Sequence, residues 1–269
     1  MFSTIEARDL ENRKGGRSGP PSPCGGKKVG CTKGVMNEFR LSKRLETVAS
    51  FIPKGAVLAD IGSDHAYLPC YACLHGYASK AIAGEVADGP LRSAQQQVEK
   101  SGLSHLISVR KGDGLSVLAP GEADCITIAG MGGALIARIL GDGKEKLAGV
   151  KRLILQPNIG AELVRRWLLD HGWELVAERI LKEDGQIYEV LVAEPGDPRR
   201  PYRHLEAELL LGPFLRRENS VVFREKWRRE IENWRRIIAD LTAKGQSEAA
   251  ERKKRELERK VRLVEEVLL

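Results

Sequence analysis

Between residues 41 and 194 short apolar runs alternate with stretches whose apolar residues recur every three or four positions. Leu41, Leu45, Val48 and Ile52 fall at helical spacing, and Pro53-Lys54-Gly55 ends that helix. Apolar runs at 56–61, 80–85, 106–110, 123–129 and 152–156 predict strands. Amphipathic segments at 66–76, 88–101, 133–147 and 160–171 predict the helices between them. Such alternation predicts an α/β fold, a parallel sheet with helices on both faces. Residues 173–180 and 186–194 read as a closing strand pair around the Glu-Asp-Gly turn at 183–185, one of the two antiparallel.

The C-terminal third has a different rhythm. Glu194-Pro-Gly-Asp-Pro-Arg-Arg-Pro is a linker signal. After Gly212-Pro213, the residues Phe223, Trp227, Ile231, Trp234, Ile238 and Leu241 are spaced by four or three. Ala250, Leu257, Val261, Val264 and Leu268 repeat the pattern beyond Gly245. Two such stripes predict a helical hairpin of coiled-coil character. Its apolar seam is core, which makes Trp227 and Trp234 packing residues rather than base-stacking platforms. The arginine pairs 216/217, 228/229 and 235/236 flank that seam and face outward. Residues 1–35 are rich in Gly, Pro, Ser and Lys, too poor in apolar side chains to fold, and read as a disordered extension. The expected division is thus 1–35, an α/β domain over 36–198 and a basic hairpin over 199–269.

Charge sharpens the picture. The 269 residues carry a net +7 and are 42% hydrophobic, enough for a real core. Residues 1–35 hold seven Lys/Arg against three Asp/Glu, giving +4; 36–198 hold 18 against 21, giving −3; 199–269 hold 19 against 13, giving +6. A slightly acidic body with a basic C-terminal piece suits a polyanionic partner, nucleic acid foremost; a solvated charged helix is the plainer alternative. The five cysteines form no secreted-type framework, and Cys70-x-x-Cys73 sits in an apolar stretch behind Pro69, as buried thiols of a reducing cytosol would. No apolar run reaches the ~18 residues of a membrane span, and the first residues lack the apolar core of a signal peptide. Neither a membrane nor a metal is expected as a partner.

The candidate chemistry lies where strands end. The first strand delivers Asp60 and then Gly62, and the second ends in Glu85, 25 residues beyond Asp60. That separation resembles the distance from a glycine turn to a ribose-binding acid in dinucleotide folds. A G-x-G-x-x-G loop would carry glycine where Asp64 stands, and a carboxylate there would repel a pyrophosphate. It suits a cationic ligand with an α-amino group, such as S-adenosylmethionine. Glu85 can accept both ribose hydroxyls. Gly112-Asp113-Gly114 can offer an acceptor to an adenine amino group or be a plain surface turn. Ala129-Gly130-Met131-Gly132-Gly133 can let a flat ligand lie against the backbone or simply lead into a helix. Gln156 and Asn158 place two amides at the same sheet edge, to read a base or to cap the next helix.

With these residues in view, the chain closely resembles the bacterial tRNA (adenine-22-N1)-methyltransferase family, the TrmK family. The resemblance rests on Leu-Ser-Lys-Arg-Leu at 41–45, Ala-Asp-Ile-Gly-Ser-Asp-His-Ala-Tyr-Leu-Pro at 59–69 and Gly-Glu-Val at 84–86. It rests further on Gly-Asp-Gly-Leu at 112–115, Ile-Ala-Gly-Met-Gly-Gly at 128–133 and Leu-Gln-Pro-Asn at 155–158. It implies a Rossmann-like class I methyltransferase domain with a C-terminal α-helical coiled-coil hairpin. S-adenosyl-L-methionine would be the donor, and N1 of adenine 22 in the D-arm of tRNA the acceptor. Asp60, Gly62, Ser63, Glu85, Asp113, Gly130 and Met131 carry over as cofactor contacts, with His65, Val86, Gly114 and Ala129 beside them. Asp64, His65 and Tyr67 fall near the reacting centre. Asp64 would orient or accept the N6 proton, or hold the methionine ammonium instead; Tyr67 would pack on or hydrogen-bond the base. Asn158 would hold the adenine edge, and His65 would carry a proton or stabilise its turn. Arg44, Arg228, Arg229, Arg235 and Arg236 would grip tRNA phosphates. The expected enzyme is a cytoplasmic monomer. A same-fold methyltransferase for another RNA site and a non-catalytic RNA-binding protein are the competing readings.

Overall fold

In the computed structural model residues 40–244 and 247–268 are described; the expected disorder of residues 1–35 lies outside them. Strands β1 (Ala56–Ile61), β2 (Ala78–Glu85), β3 (Ile107–Lys111), β4 (Cys125–Gly132) and β5 (Arg152–Ile159) run parallel. With β6 (Trp173–Glu183) and β7 (Gln186–Pro195) they form one seven-stranded sheet in the order β3-β2-β1-β4-β5-β7-β6. The Asp184-Gly185 turn between β6 and β7 has φ of +49° and +80°, the doubly left-handed form that suits a tight hairpin. The hairpin folds β7 back antiparallel onto β5 and leaves β6 at the edge.

Successive strand residues face opposite ways, so each apolar strand feeds two cores. Leu58, Ala81, Cys125 and Ile154 pack under α1 (Lys43–Ala49), α2 (Tyr67–Leu74) and α3 (Asp88–Lys100). Ala59, Ile126, Leu153 and Leu155 pack under α4 (Gly133–Asp142) and α5 (Ala161–Asp170). Burying each of the leucines and isoleucines among them stabilises the fold by about 1.5–3 kcal/mol. Two boundaries differ from the sequence expectation. Helix α1 begins after Ser42, whose hydroxyl accepts the Leu45 N–H, and stops at Ala49, short of Ile52. The segment expected at 133–147 breaks at Gly143 into α4 and a 3-10 turn.

Beyond the sheet the chain forms α6 (Leu205–Leu211), α7 (Pro213–Glu218), α8 (Val221–Lys244) and α9 (Glu248–Leu268). The sequence expectation named neither short helix: α6 stops at its cap, Gly212, and α7 begins with Pro213 in its first turn. Phe223, Trp227, Ile231, Val261 and Val264 are buried together, with Trp234 and Ile238 partly covered. The tryptophans are therefore core, as their spacing predicts. Ile180 of β6 joins this cluster, so the helices pack on the sheet edge.

A buried ion cluster ties the same junction. Arg165 is fully buried; its Nε donates to Glu178 Oε1 at 2.7 Å and its Nη2 to Glu189 Oε2 at 2.7 Å. Its Nη1 donates to the carbonyl of Leu210 at 3.1 Å, Phe214 N–H donates to Glu178 Oε2 at 3.0 Å, and Lys226 donates to Glu189. The cluster thereby links α5, β6, β7, α6, α7 and α8. Burial pushes the Glu178 carboxyl up, while the ammonium of Lys226 and the guanidinium of Arg165 hold Glu189 below the usual carboxylate range. No helix among the described residues is long and apolar enough to cross a membrane.

Candidate active site

Strand order places the site. β1 pairs with β2 on one side and β4 on the other, so the chain reverses its winding direction there and opens a crevice at the strands' carboxyl ends. The loops after β1, β2, β3 and β4 meet in this crevice as two adjoining cavities. One, of about 440 Å³, is lined by Gly62, Glu85, Val86, Asp113, Gly114 and Met131 among others. The other, of about 240 Å³, is lined by Arg44, Asp60, Ser63, Asp64, His65 and Tyr67 among others. Gly62, Asp64, Ala129 and Gly130 border both.

The glycine turn is a tight fit. Gly62 has φ of +73°, and a β-carbon there would stand 2.2 Å from the Met131 methyl. Only glycine lets the β1 and β4 loops touch without displacement. The turn is braced from below by Asp60, whose Oδ2 accepts from the Ser63 hydroxyl at 2.6 Å and Oδ1 from Thr127 at 2.6 Å. Burial pushes the Asp60 carboxyl up, against those two hydrogen bonds. The sequence expectation lined up Asp60, Glu85 and Asp113 as three acids facing one ligand. Asp60 instead lines the smaller cavity, and each of its oxygens already accepts one scaffold hydroxyl, so it braces the turn from within the site.

Glu85 is buried at the end of β2. Its Oε1 accepts the Asp64 N–H at 2.5 Å and its Oε2 the Val86 N–H at 3.2 Å. Each oxygen keeps a second lone pair, which a pair of vicinal hydroxyls can reach from the larger cavity. Asp113 lies exposed on the same cavity, with a carboxylate free of partners among the described residues. Acids at the rim and a bare backbone at Gly62 and Gly130 fit a cationic adenosine derivative such as S-adenosylmethionine.

In the smaller cavity Asp64, at φ +53°, stands 3.7 Å from His65, and His65 stacks on Tyr67 with ring centroids 5.2 Å apart. Arg44 enters from α1 over the Tyr188 ring. Its Nη1 donates to Gln156 Oε1 at 2.6 Å. The same oxygen accepts the Gly130 N–H at 3.0 Å. Gln156, fully buried, thus sets both the Gly130 turn and Arg44. Sequence reading saw it only as one of two amides.

Asn158 corrects an expectation. It does not line either of these cavities; its Nδ2 donates to the Gly130 carbonyl at 2.8 Å and its Oδ1 accepts from Gln156 at 3.2 Å. In place of an amide on the adenine edge, Asn158 is a strut under the Gly130 turn. Arg228, Arg229, Arg235 and Arg236 are all exposed on α8. Arg229 pairs with Glu225 and Arg235 with Glu265 of α9, whereas Arg228 and Arg236 have no side-chain partner among the described residues. No group of three or more metal-ligating side chains occurs among the described residues. Burial pushes the Cys73 thiol up to about 11, which keeps it from acting as a nucleophile.

Comparison with known proteins agrees with this geometry. The family model described as TrmK, tRNA (adenine(22)-N(1))-methyltransferase, matches residues 58–266. The tRNA (adenine(22)-N(1))-methyltransferase of Bacillus subtilis is 56% identical over 235 residues, 87% of this chain and 99% of that protein. The crystal structure of the B. subtilis m1A22 tRNA methyltransferase TrmK superposes with a TM-score of 0.83 at 55% identity, covering 86% of this chain and all (100%) of that one. A Streptococcus pneumoniae protein solved in complex with S-adenosyl-L-methionine gives a TM-score of 0.76 at 44% identity, over 86% of this chain and 100% of that one.

Proposed function

The chain belongs to the tRNA (adenine(22)-N(1))-methyltransferase family, and from this premise we propose how its residues divide the work of methylating tRNA. The enzyme transfers a methyl group from S-adenosyl-L-methionine to N1 of adenine 22. One observation carries the residue assignment: Glu85 and Asp113 flank a bare-backbone cavity that opens, through Gly62 and Gly130, into a second cavity holding Asp64, Tyr67 and Arg44.

The donor supplies a methyl group made electrophilic by a sulfonium. Glu85 holds the ribose hydroxyls and Asp113 the adenine amino group of that donor. His65, Val86, Gly114, Ala129 and Met131 shape the walls, and Asp60 with Ser63 keeps the Gly62 turn open. The adenine N1 lone pair is nucleophilic as it stands, so the residues of the smaller cavity act chiefly by alignment. As the bond from methyl carbon to N1 forms, the bond to sulfur breaks, and the positive charge passes to the base. Loss of an N6 proton then neutralises the product. Asp64 is the carboxylate placed to orient or accept that proton. Tyr67 packs on the base, Arg44 meets its phosphate, and Asn158 acts through the Gly130 turn.

Residues 36–198 form the catalytic domain and 199–269 the RNA-binding one. Helices α8 and α9 make a coiled-coil hairpin, supported by their apolar stripe at spacings of three and four. Its arginines Arg228, Arg229, Arg235 and Arg236 track the tRNA backbone. The enzyme acts as a monomer in the cytoplasm.

The test is methylation of unmodified tRNA with labelled donor, followed by primer extension. N1-methylation blocks Watson–Crick pairing, so extension should arrest at adenine 22. An arrest elsewhere would favour a different RNA site, and absence of label would favour a non-catalytic RNA-binding protein.

A further inference from the structure

A third cavity, of about 490 Å³, lies between the end of β5 and helix α8. On one side stand Pro157, Asn158, Ile159 and Gly160; on the other Lys226, Arg229, Glu230 and Asn233. The α8 residues are spaced by three and four, so they form a single stripe of that helix. Asn158 is the partition between this cavity and the catalytic groove, because its Nδ2 holds the Gly130 carbonyl.

The lining has two kinds of groups. Lys226 and Arg229 are already engaged, by Glu189 and Glu225. The Glu230 carboxylate and the side-chain amides of Asn233 and Gln186 have no partner among the described residues. At the lip, beside these unpartnered groups, the apolar side chain of Ile159 is 77% exposed and offers a face on which a ring can lie. A flat apolar face with a donor-and-acceptor edge meets both demands, and that is the chemistry of a nucleobase. The α8 stripe continues to Arg236, which is unpaired and exposed, as a phosphate contact would require.

We infer that this cavity receives an unpaired base of the tRNA next to the target adenine in the chain. The inference rests on the proposed function above and deepens it. The target base has to leave its stack to reach the smaller catalytic cavity, and its neighbour is then deprived of a stacking partner. Ile159 replaces that missing surface, while Glu230 and Asn233 bind the base edge. A neighbour so held fixes the strand on the far side of Asn158 and presents the adenine to the donor.

The test uses the full chain carrying Glu230→Gln with Asn233→Ala, and tRNA transcripts that are intact or abasic at the nucleotide 5′ or 3′ of the target. With intact tRNA, kcat/KM should fall about tenfold, the loss of one or two base-edge hydrogen bonds. Affinity for S-adenosyl-L-methionine, measured by calorimetry, should stay within twofold of wild type. One of the two abasic transcripts should reduce the wild-type enzyme to the rate of the variant, and the variant should lose nothing further on it. Unchanged kcat/KM on intact tRNA, a fully additive abasic penalty, or a fall in donor affinity would overturn the inference while leaving the methyltransferase reading in place. A wild-type enzyme that methylates no intact tRNA would overturn both.

Discussion

Arg44 Nη1 donates to Gln156 Oε1 at 2.6 Å, across a separation of 112 residues. The contact fastens the first helix of the domain to the end of β5, and through the Gly130 N–H it reaches the wall of the donor cavity. Replacing Gln156 with Ala would leave the partly buried Gly130 N–H and the half-buried Arg44 guanidinium without their shared acceptor. Each orphaned group costs about 1–3 kcal/mol. We expect Gln156→Ala to lower the melting temperature and to reduce kcat/KM for tRNA more than tenfold, measured by thermal denaturation and steady-state methylation.

Arg165 separates two buried acids, and removing it would leave them facing each other. Arg165→Met should destabilise the protein by about 3–5 kcal/mol, read from denaturant unfolding. Replacing Arg165, Glu178 and Glu189 together by apolar residues should recover much of that loss, because no uncompensated charge then remains.

The surface pair of Arg110 and Glu122 gives a pH dependence. Arg110 and the Ala119 N–H hold the Glu122 carboxyl down to about 2, below its ordinary 4.5. A lowered folded-state value means stability is present above about pH 4.5 and is lost as pH falls through about 2. Glu122→Gln should therefore lower the melting temperature at pH 7 and converge on the wild type towards pH 2. A gap independent of pH would assign the effect to packing instead.

Simultaneous replacement of Arg228, Arg229, Arg235 and Arg236 by Ala should weaken tRNA binding and flatten its salt dependence. Every arginine–phosphate pair removed should reduce the slope of log K against log salt by about 0.7–0.9. Arg228 and Arg236 are free of carboxylate partners among the described residues, so they should account for more of the change than the paired Arg229 and Arg235. Donor affinity should hardly move.

The parallel strands were legible because burial on both faces leaves continuous apolar runs, and Gly62, Glu85 and Asp113 were legible because they stand where those runs stop. The hairpin of β6 and β7 showed itself through Asp184-Gly185, but not that β7 would take the inner place. What pairing distant residues decides was out of reach. That Asp60 also braces the Gly62 turn depends on Thr127, 67 residues away, donating to its Oδ1. Asn158 reads as a base-binding amide until the Gly130 carbonyl is seen at its Nδ2. Arg165 reads as one more charge on an amphipathic helix, since nothing local announces that Glu178, Glu189 and Lys226 will close around it.

Calorimetric titration of Glu85→Ala with S-adenosyl-L-methionine tests the assignment of the donor cavity most directly. Loss of the acceptor for two hydroxyls should weaken donor binding at least tenfold, with tRNA affinity within twofold of wild type. Donor binding at wild-type strength by a folded Glu85→Ala protein would contradict it.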